Sequence, residues 1–97
     1  MSERRLPDPH RALIRALALH LPGMAVERSS SEPWASVTFT GARHAVRLSA
    51  AEAVTRDFAA RAGDIEFALP GHIVADIVVV RLSGTEIEIE ALTIEDR

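Results

Sequence analysis

Asp76 lies in the middle of an apolar run, His72 to Leu82 (HIVADIVVVRL), where an ionised carboxylate must find a hydrogen-bond donor or take up a proton. His72, four residues earlier, shares its side of a regular strand. Strand rise separates the two by about 13 Å, too far for a direct hydrogen bond. The functional reading of Asp76 and His72 is a pocket acid at the open end of a sheet, serving a small-molecule site or a weak enzyme. The plainer reading is a carboxylate bonded to an arginine or a helix terminus, or one that reaches solvent. His10, His20, His44 and His72 are scattered, without an i,i+4 partner or an HExxH setting, so no metal site is expected. Trp34, Arg43 and Arg47 could share a face. An indole beside guanidinium groups can stack a base or hold a carboxylate, and the plainer alternative is a solvated strand face.

The chain has no Cys, Lys, Asn, Gln or Tyr, and all eleven basic residues are Arg. Thiol nucleophiles, thiolate metal sites, lysine Schiff bases, tyrosine acids and amide oxyanion donors are thereby excluded, along with disulfides. A GC-rich genome produces the same bias. No serine sits in a GxSxG setting, and no glycine-rich loop offers a phosphate cradle. Enzyme activity has no support in these residues, and no cofactor is implied. The formal net charge is −3, whereas a nucleic-acid binder presents a basic field. A single-stranded nucleic-acid platform at Trp34, Arg43 and Arg47 is therefore the weakest reading.

The elements that must position these residues follow from pattern. Ninety-seven residues, 47% hydrophobic and 26% charged, suffice for one domain with its own core. Residues 1–8 are expected to be a flexible N-terminal tail ahead of a single α+β domain, 9–97. No apolar run reaches the roughly 20 residues that span a bilayer, and the N-terminus is not signal-like, so a cytoplasmic protein is expected. Asp8-Pro9 starts a first helix with Leu13, Leu17 and Leu21 on one stripe, and Pro22-Gly23 stops it. Met24 to Val26 suggests a short edge strand, and Glu27 to Pro33 a polar loop. Trp34 to Thr40 alternates as a strand, turning at Gly41-Ala42 into a partner that sets Phe39 opposite His44 and Val37 opposite Val46. Ser49 to Glu52 is a capping box for a second helix that carries Val54, Phe58 and Ala62 inward and ends at Gly63.

Asp64 to Glu95 reads as three strands, with the His72–Leu82 run in the centre because it is apolar on both faces. A turn at Pro70-Gly71 joins the first two. A two-residue loop at Ser83-Gly84 sets Val80 opposite Ile87 and Val78 opposite Ile89, placing Val74, Val78, Val80, Leu82, Ile87 and Ile89 in the core. The implied architecture is a two-layer sandwich: a mainly antiparallel sheet of five to six strands with two helices on one face and a suggestion of αβββ twice over. In that register Ile73, Ala75, Ile77, Val79, Leu92 and Ile94 lie on the helix-free face, rimmed by Glu and Arg. An apolar patch of this kind is what a partner buries. The expected function is a non-catalytic binding or assembly module that homodimerises there, with another protein as the alternative occupant.

Overall fold

The computed structural model describes residues 8–96; the expected tail lies outside them except for Asp8. Two helices and four strands follow one another as α1 (Pro9–His20), β1 (Ala25–Ala35), β2 (Thr40–Ser49), α2 (Glu52–Arg61), β3 (His72–Ser83) and β4 (Glu86–Glu95). A 3-10 turn, Ala62–Asp64, extends α2. All pairings are antiparallel and the strand order is β1-β2-β4-β3. Among the described residues the sheet has four strands, not five or six, and each half supplies one helix and two strands in place of the expected αβββ unit.

Asp8 accepts from the His10 amide at 2.9 Å, and Pro9 occupies the first turn. The helix then buries Leu13, Ala16 and Leu17. Against them, β2 turns in Ala42, His44, Val46 and Leu48, and β4 turns in Ile87, Ile89, Ala91 and Thr93. Phe58 and Thr55 of α2 complete the layer. Both helices cover this one face of the sheet.

The expected capping box is not formed. Ser49 pairs with Glu86 as the last residue of β2, the Ala50 amide donates to Thr85 O, and α2 starts after Ala51 without a side-chain cap. The segment DIEFAL is not a strand. It carries Ile65, Phe67 and Leu69 to the core, as their alternation implies, but pairs only through a bridge from Leu69 to His72. The Pro70-Gly71 turn is as expected: the His72 amide donates to Leu69 O at 3.2 Å, and Gly71 has φ +72°.

Two larger differences concern register. β1 runs straight through the expected polar loop, and the chain reverses over Ser36 to Phe39, not at Gly41-Ala42. The Ser36 amide donates to Phe39 O at 2.7 Å, while its hydroxyl accepts from the Phe39 amide at 3.0 Å. This local serine bonding outcompetes the apolar alternation, leaving Val37 and Phe39 exposed. His44 is therefore opposite Ser31, and Val46 opposite Ser29.

The second hairpin turns at Gly84-Thr85, with Ser83 opposite Glu86 and Gly84 at φ +59°. Two irregularities in β3, between Val74 and Asp76 and between Val79 and Arg81, each insert an extra residue. Between them every side chain is reversed relative to the expected register. Ile77 and Val79 pack toward the helices, while Val78 and Val80 are exposed. β3 is also an edge strand, not the centre of the sheet.

Candidate functional site

Two features could bear function: a histidine pair formed by buried His44 and half-buried His10 in the first turn of α1, and the helix-free face with its β3 edge. β2 directs His44 into the core opposite Ala91 of β4, and the first turn of α1 brings His10 over it. The two Nδ1 atoms are 3.0 Å apart, with the rings parallel to within 7°. On its other side His44 Nε2 is 2.8 Å from Thr93 Oγ1, and that hydroxyl donates to Ala42 O at 3.4 Å. With Thr93 donating to the carbonyl, its oxygen accepts from His44 Nε2–H, so His44 Nδ1 accepts from His10 Nδ1–H. Burial, with the His10 charge next, pushes the His44 pKa down to about 4; Asp8 opposes this and His72 adds to it. The imidazole is neutral and both its nitrogens are engaged.

The Thr93–His44 contact has the composition of a nucleophile and its base, but Thr93 is wholly buried, which gives no substrate access to its hydroxyl. The described residues contain no group of three potential ligands placed to hold a metal. The pair acts as a polar clamp between α1, β2 and β4. Sequence reasoning set His44 opposite Phe39 and read the histidines as scattered, so it did not bring His10 and His44 together. The available signals were a histidine on an otherwise apolar strand face and another in the first turn of a helix.

Four rows cross the helix-free face in the order β1, β2, β4, β3. They are Trp34–Gly41–Ile94–Ile73, Glu32–Arg43–Leu92–Asp76, Ser30–Ala45–Glu90–Val78 and Arg28–Arg47–Glu88–Arg81. Gly41 is required by close approach: a side chain there would strike the Thr93 carbonyl and the Trp34 indole. Arg47 is held among Glu27, Glu86 and Glu88 at 3.4–3.7 Å. Arg43 lines a shallow trough with Glu32, Asp76 and Glu90. Trp34, Arg43 and Arg47 do share this face, but carboxylates surround both arginines. That electrostatic setting opposes a phosphate backbone.

The expected Asp76–His72 pocket is not assembled. His72 is buried on the helix side, its Nδ1 3.0 Å from Pro70 O, while the bulge at Ala75 turns Asp76 out to solvent on the opposite face. Of the expected interface residues, Ile73, Leu92 and Ile94 are on the helix-free side, Ala75 is exposed at the bulge, and Ile77 and Val79 belong to the core margin. Val78 and Val80 take their place, 46% and 47% exposed beside Ile73 at 50%. Among the described residues no helix is long and apolar enough to cross a membrane. No protein-family model matches this chain, and no curated protein or solved structure is significantly similar to it.

Proposed function

We propose that the protein is a small non-catalytic assembly module that works as a homodimer, its second copy joining at the β3 edge and the adjoining strip of helix-free face. The observation that carries this reading is the contrast between the two edges of the sheet. β1 is polar from Glu27 to Glu32, contains Pro33, which lacks a backbone donor, and is interrupted by a bulge at Glu27. These are the features by which an edge strand resists further pairing. β3 is twelve residues long and apolar on both sides, with Ile73, Val78 and Val80 half exposed and only Asp76 and Arg81 charged. An edge of this kind attracts another strand, and closing it by a two-fold is the commonest symmetric solution.

Light scattering on the eluting species across a micromolar range tests the reading. The wild-type chain is expected to elute with twice its 10.5 kDa mass, and Val80→Glu, which puts a charge on the exposed strip without touching the core, to elute as a monomer. A wild-type chain that stays monomeric at the highest concentration overturns it. A dimer indifferent to Val80→Glu places the contact elsewhere.

A further inference from the structure

We propose that two copies join along β3 as antiparallel neighbours about a two-fold through Val78, continuing one sheet into the other, with Asp76 of each copy paired to Arg81 of its partner. This rests on the self-association proposed above and specifies its surface.

The register follows from the faces. In an antiparallel pair, residues directly opposite each other share a side of the sheet, and a two-fold perpendicular to the sheet keeps each side common to both copies. In β3 the bulges fix the sides unevenly. Asp76, Val78 and Arg81 are on the helix-free side through their pairing with Leu92, Glu90 and Glu88. Val80 lines a shallow hollow on the same side with Arg28, Ser30 and Arg47. Val74, Ile77, Val79 and Leu82 pair with Thr93, Ala91, Ile89 and Ile87 on the helix side. Centred on Val78, the two-fold sets Ile77 against Val79, Asp76 against Val80 and Val74 against Leu82, each pair same-sided, with the bulge residue Ala75 opposite Arg81. Centred on Ile77 it sets Val74 against Val80; centred on Val79 it sets Ile77 against Arg81. Both mix the faces.

Charge selects the same centre. Among the described residues neither Asp76 nor Arg81 has an ion-pair partner in its own chain. With Val78 on the axis, Asp76 meets Val80 of the partner subunit directly and has Arg81 one residue further on. The bulge has turned that arginine to the same side. The symmetry repeats the contact, giving two ion pairs flanking an apolar centre of four valines and two isoleucines. Among the described residues no strand pairs with the outer edge of β3 beyond the Leu69–His72 bridge, and the segment from Gly63 to Phe67 encloses with Ile73–Ile77 a cavity of about 410 Å³.

Charge reversal and cross-linking test the register on the full chain. Asp76→Arg and Arg81→Asp, each alone, place like charges together twice per dimer and are expected to raise the dissociation constant about tenfold or more; the double reversal is expected to return it to within about threefold of wild type. Because the chain has no cysteine, Val78→Cys introduces a single thiol per copy, placed on the axis opposite its own equivalent. Diamide oxidation is expected to convert it to a covalent dimer, whereas Val26→Cys on β1 stays uncoupled. A wild-type dimer in which the double reversal fails to recover, or Val78→Cys fails to cross-link, overturns this register while leaving self-association standing. A chain that is monomeric at every concentration overturns both.

Discussion

His44 has two hydrogen-bond partners and no room for a second proton. Protonating it while His10 keeps its own Nδ1–H would set two donors against each other 3.0 Å apart. Its pKa is pushed down from an ordinary 6.5 to about 4, by burial first and then by His10 and His72 against the opposing Asp8. The unfolded chain therefore takes up this proton before the folded one as the pH falls. The stability linked to a neutral His44 is complete above pH 6.5 and is lost progressively down to pH 4. At about 1.4 kcal/mol per pKa unit the loss amounts to roughly 3 kcal/mol. Urea midpoints measured at both ends of that window should differ accordingly. In His44→Leu, which is less stable at neutral pH because His10 and Thr93 lose their partner, the difference should shrink to the contribution of the remaining groups. A midpoint that falls as steeply in the variant would assign the effect to another group. Asp76 gives the converse lesson: an acid in an apolar run looks like a buried charge, and the bulge at Ala75 removes the cost by turning it to solvent.

Among the elements, α2 packs Phe58 against the sheet and is hydrogen-bonded to the β3–β4 turn through Thr55. Thr55, wholly buried, donates to Gly84 O at 2.6 Å and approaches Glu52 O at 3.0 Å, joining the helix to the β3–β4 turn. Thr55→Val keeps the shape and leaves the Gly84 carbonyl without this donor, so denaturant unfolding should show a loss of about 1 kcal/mol. A neutral substitution would mean that water reaches Gly84 O. The helices were legible because each buries a stripe at helical spacing, and β2 and β4 because they alternate cleanly against those stripes. β1 was not, since a strand that buries nothing has no alternation to read; ERSSSEP looks like a loop and pairs as an edge. The register of β3 was hidden for the opposite reason. In Ile77-Val78-Val79-Val80 every residue suits either face, so the sequence is indifferent to a bulge and the pairing with β4 decides. The helix-free face inherited that ambiguity: Ile73 and Ile94 lie on it as the alternation implied, whereas Val78 and Val80 stand where Ile77 and Val79 were expected.

The whole molecule measures 47 × 27 × 22 Å. At about 3.3 Å per residue a strand of this length runs for most of the longest dimension, so the β3 edge extends along nearly the full side of the protein. An interface there couples assembly to folding, because the partner binds β3 only while β3 is held by β4. Mass action then makes apparent stability depend on concentration: with the dimer favoured, each tenfold rise in protein adds about 1.4 kcal/mol per mole of dimer to the unfolding free energy. Thermal midpoints should therefore climb with wild-type concentration and stay level for Val80→Glu. If the contact proposed above is flanked by ion pairs near the rim, added salt should weaken the dimer modestly by screening Asp76 and Arg81. An apolar face-to-face stack centred on Leu92 and Ile94 would instead tighten under sulfate, which strengthens apolar burial, and would show no particular sensitivity at Asp76 or Arg81. Midpoints recorded against chloride and sulfate for the wild type and the double reversal thus separate the two arrangements. A wild-type midpoint independent of concentration would leave the β3 edge unoccupied and remove the premise of both.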